Sequence, residues 1–267
     1  MAMKGFAALL ALALFLAYGC TTPPPPKASM KYLEIVQEKQ NCPDGGCFSE
    51  YLFVSSGIAL KKQYNLPNYK GEPTMELRRM NNASAALLFG KAEEFSEANK
   101  NSTGSADFAN NVYFAGDSKL YALSFPNDPP RQFLEFFNDA DALFGAADPD
   151  VDFYVHQYYQ PVGGDSVDFH IFSDGTFIRS VFASGSNTLK SSKMYLISEN
   201  DVSVLANMAD NATGQQHSQN PECGLDTGLV YGYVEIKQDG RYLGTYTCGN
   251  GKTKIDALFT FLKNKYG

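Results

Sequence analysis

The chain holds three histidines, His156, His170 and His217, and the first two lie on either side of the glycine-containing turn at residues 161–165. If the flanking strands pair symmetrically about Gly163, His156 faces His170, Tyr158 faces Asp168 and Tyr154 faces Phe172. Side chains alternate along a strand, so these six share one face. The opposite face carries Val151, Phe153, Val155, Val167, Phe169 and Ile171, a core face. His156, His170 and Asp168 are thus the candidate catalytic residues, and Tyr154 and Tyr158 the candidate ligand contacts. Two imidazoles and a carboxylate can do general acid–base work or ligate a metal. The competing reading is a solvated or interdomain face on which Tyr and His suit a strand. That reading is preferred, so neither a metal nor a cofactor is expected.

Other constellations are thinner. There is no G-x-S-x-G, H-E-x-x-H, G-x-x-x-x-G-K-[ST] or G-x-G-x-x-G. Asp148, Asp150 and Asp152 alternate in a way that hints at calcium ligation, but the Gly and distal Glu of an EF-hand are out of place, so this stretch reads as a linker. Glu93, Glu94 and Glu97 read as a solvated helix end. Cys223 and His217 would make a nucleophile pair only without a disulfide.

The amino terminus reads as an address. Residues 5–19 form an apolar stretch after a single charged side chain, Lys4. As a helix it reaches about 22 Å, short of a bilayer core of about 30 Å, which suits a signal-peptide core. The run Leu16-Ala17-Tyr18-Gly19-Cys20 resembles the lipobox of prokaryotic lipoproteins. That resemblance implies a diacylglyceryl or diether lipid on Cys20, which becomes the new amino terminus. Ala17 and Tyr18 stand where the lipobox prefers Leu and Ala or Ser. Ala17 and Gly19 also satisfy the small-x-small rule of ordinary signal peptidase, with the same cut point. Residues 1–19 are the expected signal peptide. Residues 20–30, with four consecutive prolines, are the lipid-attachment site and a polyproline tether.

Net charge is −7, without Lys/Arg clusters, which disfavours nucleic acid as a partner. With 16 Tyr and 20 Phe but no Trp, any glycan platform would rest on tyrosine. Five cysteines leave four once Cys20 carries lipid: Cys42, Cys47, Cys223 and Cys248. In an oxidising compartment these form disulfides. Three pairings are possible; the two local ones, Cys42 with Cys47 and Cys223 with Cys248, are favoured over the others and over a four-cysteine zinc site. Asn82, Asn101 and Asn211 head N-x-S/T sequons, candidate glycosylation sites.

The elements that must position these groups fall into two similar runs. Residues 31–61 match residues 149–179 at a shift of 118 without a gap, and the ends of the halves match at a shift of 122. The expected fold is α+β: two tandem copies of a strand–hairpin–helix–hairpin–helix unit with antiparallel sheets, at residues 31–147 and 148–267. Asp174-Gly175 and Asp239-Gly240 read as type I′ hairpin turns. Ser198 reads as a helix N-cap with Asp201 at the capping-box position. Helices are expected over residues 82–94, 130–144 and 252–265. The Cys47-Phe48 turn before an alternating strand resembles a small bacterial domain family of unknown function, a likeness that implies no activity.

The functional expectation is a lipoprotein on the outer face of the cytoplasmic membrane, attached through Cys20. It would act as a non-enzymatic binding module for an envelope protein or a glycan. The alternative is an envelope-associated hydrolase or metal-dependent enzyme using the polar sheet face of the second unit.

Overall fold

A computed structural model describes residues 30–38, 48–64, 72–102, 110–116, 119–150, 152–161, 163–185, 188–213, 231–247 and 253–266. The fold is α+β, with four helices among the described residues and two antiparallel sheets. In chain order the first half runs β1 (Tyr32–Glu38), β2 (Phe48–Val54), β3 (Ile58–Tyr64), β4 (Thr74–Arg79), α1 (Asn82–Ala98), β5 (Asn110–Gly116), β6 (Lys119–Phe125), α2 (Arg131–Gly145) and β7 (Asp148–Pro149). The second half runs β8 (Phe153–Gln160), β9 (Ser166–Phe172), β10 (Thr176–Phe182), β11 (Leu189–Leu196), α3 (Glu199–Thr213), β12 (Tyr231–Gln238), β13 (Arg241–Thr247) and α4 (Lys254–Tyr266).

Local chemistry sets the ends of the helices. The Asn81 side chain accepts from the Ser84 N–H at 2.8 Å and caps α1. Pro130, which lacks an N–H to leave orphaned, precedes α2. Ser198 Oγ accepts from the Asp201 N–H at 3.1 Å ahead of α3, as its sequence predicts. Thr253 and Asp256 exchange side-chain and backbone bonds at 3.0 and 3.1 Å ahead of α4.

The strand order is β6-β5-β1-β2-β3-β4-β7 in the first sheet and β13-β12-β8-β9-β10-β11 in the second. β4 and β11 are absent from the expected unit. Thr-Met-Glu-Leu-Arg-Arg alternates over only its first five residues, with two apolar side chains, and Leu-Lys-Ser-Ser-Lys-Met-Tyr-Leu does not alternate. Each joins its sheet because the neighbouring hairpin strand presents an open edge. Asp239 and Gly240 both have positive φ, 49° and 74°, as a type I′ turn requires. At Asp174-Gly175 only the glycine does, at 80°, so that turn is not type I′. There the Asp174 carboxylate instead accepts from the Thr176 N–H at 2.8 Å, holding the loop by side chain.

Three apolar layers hold the elements together. Leu33, Ile35, Phe53, Val112 and Phe114 pack against Leu88, Phe89, Phe133, Phe136 and Phe144 of α1 and α2. Val155, Phe169, Ile171, Val234 and Ile236 pack against Leu205, Ala209, Leu258, Phe259 and Leu262 of α3 and α4. Between the sheets, Tyr32, Leu52, Val54, Ile58, Leu60 and Tyr113 meet Tyr154, Phe172, Ile178, Leu189 and Met194. The order of layers is helices, sheet, sheet, helices. Both faces of each central strand are covered, and β2 is buried from Ser49 to Val54. Among the described residues no helix is long and apolar enough to cross a membrane.

Candidate functional site

The register of β8 and β9 pairs Tyr154 with Phe172, His156 with His170 and Tyr158 with Asp168, as symmetry about Gly163 predicts. Phe153, Val155, Val167, Phe169 and Ile171 lie in the helix-facing core. The polar side therefore faces the other way, toward the first sheet. The neighbouring β12 aligns Glu235 with His156.

His156 is clamped at both nitrogens. Its Nε2 lies 2.6 Å from Asp168 Oδ1 and its Nδ1 lies 3.0 Å from Glu235 Oε2. The His170 ring lies parallel to that of His156, with centroids 4.7 Å apart and planes at 1°. His170 Nδ1 meets the Tyr154 hydroxyl at 2.8 Å. His170 Nε2 sits 3.5 Å from Asp168 Oδ2, within ion-pair range but without hydrogen-bond geometry. It is a buried nitrogen with no hydrogen-bond partner, on a residue 1% exposed. Leaving such a group unsatisfied costs about 1–3 kcal/mol.

Glu235 is the hub of this layer. It is fully buried and receives Lys62 Nζ at 2.5 Å from β3 of the first sheet. The hydroxyls of Tyr242, Tyr233 and Tyr64 donate to its other oxygen at 3.0, 3.2 and 3.3 Å. Glu50 stands 3.9 Å from Lys62, and Glu34 accepts from the Tyr32 hydroxyl. Burial alone would push each carboxyl up and each cation down. For Glu235, Lys62 and then His156 outweigh burial and hold the carboxyl well below its usual range. For Asp168, His156 and then His170 do the same. For His156, burial is outweighed by Asp168 and Glu235, which raise the imidazole to about 10. At Glu34 burial and the Glu50 charge push the carboxyl up to about 8; the Tyr32 hydroxyl and the His156 imidazolium favour the charged form but are outweighed.

A cleft opens onto this layer. It has a volume of about 330 Å³ and lies between the sheets, lined by Glu34, Val36 and Tyr113 of the first and Tyr158, Gln160, Ser166, Phe182 and Gly185 of the second. Tyr158 is the strand partner of Asp168, and Ser166 is two residues from it on the same strand. The His156 and Asp168 side chains keep 14% and 16% of their surface exposed.

The structure thus brings His156, His170, Asp168 and Tyr154 into one network and places Tyr158 on the cleft wall. Lys62, Glu235, Glu50 and Glu34 are absent from the sequence-based candidates. A charge inside an apolar strand, as in Tyr-Val-Glu-Ile at residues 233–236, was the available signal. The remaining candidates do not gather. Asp150 pairs with Arg79 at 2.8 Å, while the Asp152 carboxylate accepts from the Gly240 N–H at 2.6 Å. Glu93 bridges Lys31 and Lys119 at 3.2 and 2.6 Å, and Glu94 and Glu97 are exposed at the same helix end. Asn82, Asn101 and Asn211 are exposed, the first and last on helices. Cys20, Cys42, Cys47, Cys223, Cys248 and His217 lie outside the described residues. No protein-family model and no curated protein sequence matches the chain.

Proposed function

We propose that this chain is a non-enzymatic binding module, held on the outer face of the cytoplasmic membrane by lipid on Cys20. Its ligand is a small neutral glycan taken in the cleft between the sheets. One observation carries the reading. The groups able to do acid–base chemistry are engaged with one another between two sheets, and the open space beside them is walled by Tyr113, Tyr158 and Phe182. Aromatic faces with a few convergent polar groups, here Glu34, Gln160 and Ser166, are the usual lining of a small-ligand site. A carboxyl at about 8 is uncharged at neutral pH, so Glu34 can donate to a sugar hydroxyl or accept from one.

The body is two tandem copies of one unit, in this reading. The same strand order in both sheets supports it. So does a shared turn contact. Gly57 O accepts from the Met80 N–H at 2.8 Å, and Gly175 O accepts from the Ile197 N–H at 2.9 Å. Strand registers align Tyr32, Glu34 and Val36 with Tyr154, His156 and Tyr158, and Glu50, Leu52 and Val54 with Asp168, His170 and Phe172. The first strands are therefore offset by 122 and the second by 118, and the ungapped match of residues 31–61 is corrected. The first copy carries Glu34 and Leu52 where the second carries His156 and His170.

The test is saturation-transfer NMR and calorimetry on the full chain in detergent, against mono- and disaccharides. Binding lost in Tyr158→Ala, with the fold retained by circular dichroism, supports the reading. No saccharide binding, or hydrolysis of any glycoside or ester offered, overturns it.

A further inference from the structure

We propose that His156 Nε2, His170 Nε2 and the Asp168 carboxylate form a binding site for one divalent first-row transition ion, Zn²⁺ foremost. It stands whether or not the cleft takes a glycan.

Three features point to a metal rather than to an ordinary ion pair. The first is convergence. One donor atom from each of the three side chains lies within 4.8 Å of the others. Tetrahedral bonds of about 2.0–2.1 Å to an ion need donors about 3.3 Å apart. The His156 contact of 2.6 Å with Asp168 Oδ1 and the His170 contact of 3.5 Å with Asp168 Oδ2 bracket that spacing, and the two imidazoles, parallel at 4.7 Å between centroids, must tilt toward each other to aim both Nε2 atoms at one ion. The second is the outer support. Each imidazole has its Nδ1 held by an oxygen, Glu235 for His156 and Tyr154 for His170. Metal-binding histidines are oriented in this way, with the far nitrogen hydrogen-bonded and the near one aimed at the ion. The third is the orphan. His170 Nε2 is buried, aims at Asp168 and has no hydrogen-bond partner. An ion would satisfy it.

Donor type sets the ion. Two imidazoles and one carboxylate favour Zn²⁺ and its neighbours over Ca²⁺ or Mg²⁺, which prefer all-oxygen shells. Three protein ligands leave a position open, and the exposed edges of His156 and Asp168 lie beside the Tyr158 wall of the cleft. The ion takes the place of the proton now held between Asp168 and His156, which leaves to solvent. Asp168 and Glu235, with Lys62 opposing, leave the layer able to accept the added positive charge.

The full chain in detergent, stripped with chelator, is titrated with ZnCl₂ alone by calorimetry and with CoCl₂ alone by visible absorption. One equivalent of each should bind at micromolar concentration or below. Zinc-edge X-ray absorption should show two imidazoles and oxygen at about 2.0–2.1 Å. His170→Phe, which keeps a ring in the stack, should weaken binding by well over 100-fold, beyond the roughly 10–100-fold typical of outer-shell loss. Absence of stoichiometric binding overturns the site. So does a sulfur shell at about 2.3 Å, which would place the ion on cysteines, or unchanged affinity in folded His156→Phe and His170→Phe. If those variants unfold, the absorption spectrum of the unaltered protein decides alone, and fewer than two imidazoles ends the proposal.

Discussion

Lys62 Nζ lies 2.5 Å from Glu235 Oε2, joining β3 of one sheet to β12 of the other with both side chains buried. Breaking a buried pair from one side strands the other ion, at about 3–5 kcal/mol. Lys62→Met should therefore lower unfolding free energy by about that amount in urea melts. The double variant Lys62→Met with Glu235→Gln should lose less than the sum of the singles. Strict additivity would show that the two residues are energetically independent.

Glu34 sets a pH dependence of opposite sign to that of an ordinary carboxylate. Its folded carboxyl sits at about 8 against 4.5 for the free group, so the folded state holds one extra proton between those values. Stability tied to Glu34 is full below pH 4.5 and is lost as pH rises toward 8. His156, raised from 6.5 to about 10, adds a loss in the same direction above pH 6.5. Glu34→Gln removes only the first contribution. Melts at pH 5, 6, 7 and 8 should show the variant gaining on the unaltered protein at each step. A constant difference would place the Glu34 carboxyl in its ordinary range.

Gly57 and Gly175 should be equally intolerant of a side chain. Both have positive φ, 97° and 80°, and an added Cβ would stand 2.7 Å from the backbone oxygen of Met80 or Ile197. Gly57→Ala and Gly175→Ala should each cost about 1–3 kcal/mol. Gly90→Ala in α1, with nothing near its Cβ, should instead stabilise by about 0.5–1 kcal/mol. Unequal costs at the two turns would weaken the case for a duplicated unit.

Lipid on Cys20 has a direct readout. Mass spectrometry of the protein from its native host should find the chain beginning at Cys20 with a lipid adduct. Cys20→Ser should move the protein from the membrane fraction to the medium. An intact leader, or a Cys20→Ser chain still in the membrane, would count against the anchor.

Much of the local structure was legible in the residues. Ser198 and Asp201 marked the start of α3, and Asp239-Gly240 marked a type I′ turn, because caps and tight turns depend on side chains within a few positions. The pairing of His156 with His170 was legible too, since a short glycine-containing turn admits few registers. β4 and β11 were not, because a strand at or near a sheet's edge takes its conformation from the neighbour that offers it hydrogen bonds.

The polar face marks the division most sharply. Alternation along β8 and β9 alone determined that His156, His170, Asp168 and Tyr154 share a side. What that side meets was decided by tertiary structure. Lys62 lies far from Glu235 in the chain, and no period or spacing links them. Only the stacking of one sheet on the other makes Glu235 a hub, buries Glu34 beside Glu50 and turns a strand face into the wall of a cleft. Strand periodicity is a property of neighbouring residues, whereas charge pairing and burial across a sheet interface depend on the whole chain's packing.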